Sequence, residues 1–235
     1  MEKASSARTW ASIAGKSASS VQKHHHTTYS NLPQRPPHLT SVENHHHRQD
    51  HEQKHVHAPQ HQPRSSTPNE AIYVLTLLTD KPHHSRLTSL RKRYFPPHLN
   101  KLSAHLTLFH ALPGSRLQST VIPDLQRLAQ CTAPFQIRAT GPFRMKRGVG
   151  IGLARNEAGY DKARDVHKVL QTGWKGERWL SEQDAQEGWR GHYTIMNKVD
   201  DEHEVARAFN EVKQDWQDDL GVVEGLGLVE VGEEV

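Results

Sequence analysis

The sequence has a single cysteine, Cys131, few aromatic residues and no long apolar run. One thiol cannot build a disulfide framework or a thiolate metal cluster, and a reducing compartment is the plain inference. No stretch approaches the ~20 apolar residues of a membrane span, and no signal-like apolar segment follows the N-terminus. Apolar residues make up 34% of the 235, aromatics 6%, and the mean hydropathy is −0.80. That supply is too small to pack the chain from end to end, so one domain plus a tail is expected.

The deficit is uneven. Residues 1–69 hold only 15 apolar residues, yet 11 of the 19 histidines and 6 of the 13 prolines. Such a stretch cannot bury enough apolar surface to offset the entropy of ordering it. Residues 1–69 are therefore predicted to be a disordered tail, and residues 70–235 to be the folded domain. The formal charge of +4 divides the same way: 8 Lys+Arg against 4 Asp+Glu in the tail, and 22 against 22 in the remainder. The basic pI of about 9.2 thus belongs to the tail and is no argument for a nucleic-acid-binding domain. The histidine clusters at 24–26 and 45–47 read as solvated low complexity rather than a metal site, because floppy ligands must lose entropy to chelate. Trp10 and Ile13 lie one helical turn apart and suit a short helix that binds a protein partner, whose identity the spacing does not give. The expected compartment is the cytoplasm, with nucleus and mitochondrion as alternatives, and a monomer is expected.

From Ala71 the texture changes. Strands are predicted at 71–78, 104–112, 135–140, 148–154, 191–199 and 222–231, with helices at 85–95, 115–130 (interrupted near Pro123), 160–171 and 201–220. A basic turn is expected at Arg144-Met145-Lys146-Arg147. Helices covering a sheet of both strand directions make the fold class α+β. The strands at 104–112 and 191–199 each precede a helix, a weak internal repeat.

Those two strands carry the chemistry. Each contains His-x-Thr followed by an apolar residue: His105-Leu106-Thr107-Leu108 and His192-Tyr193-Thr194-Ile195. Alternation along a strand puts His and Thr on one face and the apolar residues on the other. Two such pairs facing one cleft suit phosphodiester chemistry. One imidazole takes a proton from the attacking oxygen while the other protonates the leaving oxygen. The hydroxyls hold the non-bridging phosphate oxygens, and no metal or other cofactor is called for. The triplet alone is weak, since His26-Thr27-Thr28 and His38-Leu39-Thr40 in the tail also match. Only the copies at 105 and 192 lie inside apolar strand patterns.

The stretches RKRYFPPHLNKLSAHLTLFHALPG (91–114) and WLSEQDAQEGWRGHYTIMNKV (179–199) resemble the two-histidine (2H) phosphoesterases, in particular the 2'-5' RNA ligase-like branch. In the second stretch Gln183 and Asp184, then His-x-Thr-Ile, then Asn197 and Lys198 carry the likeness, which covers about residues 71–231. It implies a bilobal sandwich with pseudo-two-fold symmetry, two sheets flanked by helices, and an active-site groove between the lobes. It also implies 2',3'-cyclic phosphodiesterase or 2'-5' RNA ligase activity on RNA ends or small cyclic nucleotides, with His105, Thr107, His192 and Thr194 as the catalytic set.

Around that set, Phe109 shares the His105 face and is a candidate to stack a base, with core packing as the equal alternative. Lys198 shares the His192 face and is a candidate phosphate contact. Arg144 and Lys146, with Arg147, are candidates to receive an RNA backbone. Strand parity points His110 away from His105, which excludes it as a third catalytic group. Asp184 fits a helix-capping pattern. The rival function is a non-catalytic RNA- or nucleotide-binding module of the same fold; a third is a metal-binding scaffold working through the tail.

Overall fold

The computed structural model describes residues 62–64 and 69–231. The predicted tail lies almost entirely outside them, as do its histidine clusters and Trp10.

Among the described residues six strands form the framework: β1 (Ile72–Thr79), β2 (Leu106–Pro113), β3 (Phe135–Met145), β4 (Gly148–Leu153), β5 (His192–Met196) and β6 (Asp219–Val231). Five α-helices accompany them: α1 (Lys81–Tyr94), α2 (Ile122–Cys131), α3 (Ala158–Lys175), α4 (Glu182–Ala185) and α5 (Glu202–Asp215). The class is α+β. The strands close into a ring in the order β1-β2-β5-β4-β3-β6, every pairing antiparallel.

The six strands make one closed antiparallel sheet with two halves. The thirteen-residue β6 serves both, pairing with β3 through Asp219–Val223 and with β1 through Val223–Val231. At the opposite side the halves meet in one residue pair, Leu106 with Tyr193. Helix α1 packs on β5 and β6, while α3 and α5 pack on β3. Leu75, Leu106, Ile137, Ile151 and Tyr193, each at most 2% exposed, belong to the core that the strands and helices enclose.

Local chemistry explains where the elements depart from expectation. Helix α1 begins four residues before the predicted Ser85. The Asp80 side chain caps it by accepting from the His83 amide at 3.1 Å, and Pro82 sits in the first turn, where its missing N–H costs nothing. It ends at Tyr94 because Pro96 and Pro97 hold Phe95 extended. The segment ahead of Pro123 forms a 3₁₀ turn (Gly114–Arg116) and a π turn (Leu117–Val121) before α2. Proline offers no amide to continue a helix from upstream. The expected basic turn shrinks to Lys146-Arg147, since Arg144 and Met145 still pair with Val149 and Gly148. No helix among the described residues is long and apolar enough to cross a membrane.

Candidate active site

The ring brings the two His-x-Thr segments together. With Leu106 opposite Tyr193, one further step along antiparallel strands sets His105 against Thr194 and Thr107 against His192. The apolar residues between them are buried, at 0% and 1% exposure. All four polar side chains therefore share the outer face, where they line a cleft of about 520 Å³.

Both rings are held alike. His105 Nδ1 lies 2.8 Å from the Ser103 carbonyl oxygen, and His192 Nδ1 lies 2.9 Å from that of Arg190. A carbonyl can only accept, so each Nδ1 carries the hydrogen, and Nε2 holds the lone pair when the ring is neutral. Burial pushes the His105 pKa below the usual imidazole value. The Ser103 carbonyl opposes this, while the charges of Arg91, His110 and His192 reinforce it.

Strand β2 is irregular beyond Thr107. Thr76 pairs with Thr107 but Leu75 pairs with Phe109, so Leu108 is an extra residue in β2. A bulge of one residue reverses which face each later side chain takes. Phe109 consequently turns into the core at 0% exposure, stacked on His167 (centroids 4.7 Å apart) and tilted against Trp174. His110 turns into the cleft. The bulge decides one alternative and corrects one expectation: Phe109 takes the core position and not the base-stacking one, and His110 shares the cleft with His105 instead of pointing away.

A second irregularity, between Tyr73 and Leu75 of β1, falls opposite residues 110 and 111. Asp184 takes up the amides there. Its Oδ1 accepts from the His110 amide (2.9 Å) and from His110 Nδ1 (3.1 Å), and its Oδ2 from the Ala111 amide (3.0 Å). Burial at 3% exposure would raise the pKa of this carboxyl, but the hydrogen bonds from the His110 ring and the two amides outweigh it and hold the pKa low. The capping bond to Ser181 is also present, made by the backbone of Asp184, so the side chain serves the strand.

Residues 79–234 match the sequence model of the 2'-5' RNA ligase superfamily. The chain belongs to that superfamily, the two-histidine phosphoesterases. No curated protein matches it. The family supports a phosphoesterase or ligase enzyme.

In this two-histidine framework the residue that sequence reasoning passed over is Arg91. It occupies the buried stripe of α1 with His83 and Leu87 and is 6% exposed. Nε donates to Asn100 Oδ1 (2.9 Å) and the Leu102 carbonyl (3.1 Å), and Nη1 to the Thr194 carbonyl (2.6 Å). Its guanidinium also lies 3.7 Å from the Phe95 ring centroid. Burial lowers its pKa to about 10, so it remains a cation at neutral pH. No carboxylate pairs with it among the described residues; its acceptors are neutral, and it lines the cleft. The available signal was an arginine at the fourth position after Leu87, inside an apolar helical stripe.

The other proposed substrate contacts stand apart from the cleft. Strand β5 ends at Met196, and Asn197 lines the cleft in place of Lys198, which is exposed with φ 61°. Arg144 and Lys146 are exposed at the end of β3 and in its turn and do not line the cleft, whereas Met145 between them does. Arg147 pairs with Asp200 at 2.6 Å. Trp189 completes the cleft wall: its Nε1 donates to the Thr107 carbonyl at 2.9 Å.

Proposed function

We propose that this protein hydrolyses 2',3'-cyclic phosphates, at RNA ends or in small cyclic nucleotides, by acid–base catalysis between His105 and His192. The observation that carries the reading is the matched pair of rings across one cleft, each with its proton on Nδ1 and Nε2 left for the reaction.

The lowered pKa suits His105 to be the base, because a neutral imidazole is the form that accepts a proton. Its Nε2 takes the proton of a water as that oxygen bonds to phosphorus. The bond from phosphorus to one ribose oxygen breaks, and His192 Nε2–H gives that oxygen its proton. A phosphomonoester and a free ribose hydroxyl result, and the two rings regain their starting protonation through solvent. The hydroxyls of Thr107 and Thr194 donate to the non-bridging oxygens, whose charge grows in the transition state. Arg91 supplies the positive field in which that charge develops. Water in the attacking role gives hydrolysis; a ribose hydroxyl in the same place gives a ligation-type transfer.

The test is turnover of 2',3'-cyclic mononucleotides and of RNA ending in a cyclic phosphate, with and without EDTA. His105→Ala and His192→Ala are each expected to lose about 10²–10⁴ in kcat, and EDTA to change nothing. Turnover that persists in either variant or that depends on added metal would overturn the mechanism. RNA binding by the wild-type chain with no turnover on either substrate would favour the binding-module reading.

A further inference from the structure

A second cavity of about 720 Å³ adjoins the active-site cleft. The two share four lining residues: His167, Glu187, Gly188 and Trp189. Gly188, at φ 86°, makes the left-handed turn that leads into Trp189. The shared wall is aromatic and braced. Trp189 stacks between Tyr160 (5.8 Å) and His167 (6.0 Å), and its indole N–H is tied to Thr107 on the catalytic strand. Burial holds the His167 pKa down to about 4, so at neutral pH the ring stack is uncharged, and the exposed carboxylate Glu187 stands beside it.

The far wall is cationic. Arg164, Lys168 and Lys175 of α3 line it, all exposed. Their spacings of four and seven residues put them on one face of the helix, along about 16 Å at ~1.5 Å per residue. Their carboxylate partners in this region are few and exposed: Asp161 on Arg164 (2.8 Å) and Glu187 on Lys175 (3.5 Å). Exposed pairs of this kind contribute little and exchange readily for phosphate. A row of cations beside a half-buried aromatic is the arrangement that takes single-stranded polynucleotide without reading its sequence.

We infer that the second cavity is a subsite for the strand upstream of the reacting end, with backbone phosphates along Arg164, Lys168 and Lys175 and Trp189 at the junction. The substrate class is then single-stranded RNA of several nucleotides, and mononucleotides fill only the first cleft. The inference rests on the phosphodiesterase reading for the reaction at the end, but not for the binding.

The test uses the full chain and a fluorescent single-stranded hexaribonucleotide ending in a 2',3'-cyclic phosphate, alongside the cyclic mononucleotide. In Arg164→Glu/Lys168→Glu/Lys175→Glu the hexanucleotide Kd is expected to rise about tenfold or more, with a shallower salt dependence. The ratio of kcat/KM for hexanucleotide over mononucleotide should fall by a similar factor. Lys162→Glu/Arg207→Glu/Lys213→Glu makes the same change in net charge away from the cavity and should leave both near wild type. Equal Kd values for the first variant and wild type, or equal losses in the two triple variants, would overturn the subsite. If neither substrate turns over but hexanucleotide binding still weakens selectively in the first variant, the subsite stands and the phosphodiesterase reading falls.

Discussion

His105 and His192 hold their rings by the same bond: Nδ1 of each donates to the carbonyl two residues upstream, Ser103 in one case and Arg190 in the other. The pairing of Leu106 with Tyr193 places these bonds symmetrically about the seam of the ring. The surroundings of His105 set it apart from an ordinary imidazole: burial first, then the charges of Arg91, His110 and His192, lower its pKa.

A pH dependence follows from that difference. The pKa of His105 lies below the usual value near 6.5, so its base form persists to lower pH than that of an ordinary imidazole. The acid limb of kcat/KM is expected to fall through a pKa below 6.5. Profiles from pH 4 to 9, for wild type and for Arg91→Gln, check this. Removing the cation should move the limb upward, and an acid limb above 6.5 in wild type would rule out His105 as the base.

Arg91 should matter to both fold and reaction. Arg91→Ala leaves the Thr194 carbonyl and Asn100 without their donor, for a loss of about 2 kcal/mol in urea unfolding. It also removes the cation from the cleft, so kcat/KM is expected to fall about 100-fold. Arg91→Lys keeps the charge but not the forked donor, and recovery of activity in that variant should be partial.

Asp184→Asn exchanges a buried acceptor of three hydrogen bonds for a group that must turn a donor toward an N–H. The expected loss is about 2–3 kcal/mol. The folded-state pKa is depressed, so the carboxylate contributes stability above the ordinary value of 3.8, and that contribution disappears as pH falls through the folded-state pKa. The gap between wild type and variant in urea melts should therefore be widest near neutral pH and narrow below pH 4.

Phe109 distinguishes core from site. Phe109→Ala is expected to cost about 3–5 kcal/mol through the cavity it leaves. Phe109→Leu should cost less, and it should leave the preference between hexanucleotide and mononucleotide where it is in wild type. A selective loss of RNA binding in Phe109→Leu would reinstate it as a base-stacking surface.

The elements and the two motifs were legible because both rest on local periodicity. Alternation over 104–112 and 191–199 marks strands whatever they pair with, and His and Thr two apart share a face in any strand. Alternation fails where the backbone breaks step. The extra residue Leu108 is invisible in the run LTLFHAL, since either phase leaves apolar residues to bury, so Phe109 and His110 exchanged places. Lys198 was misplaced for the related reason that β5 stops at Met196. Arg91 was missed because its role depends on non-local partners, Asn100, Leu102 and Thr194, that the sequence does not bring together. Asp184 was read as a helix cap, which its backbone bears out, while its side chain answers amides more than 70 residues away.

The shared anchoring of the two histidines also makes the catalytic core nearly palindromic. Exchanging the two His-x-Thr segments would leave this anchoring unchanged. A proton relay between two such rings is reversible, and its net direction is set by the attacking oxygen on offer. The halves differ in what surrounds the rings: burial and the charges of Arg91 and His110 lower the pKa of His105. Replacing those two side chains, with both His-x-Thr motifs intact, is expected to bring the two rings closer to equivalence.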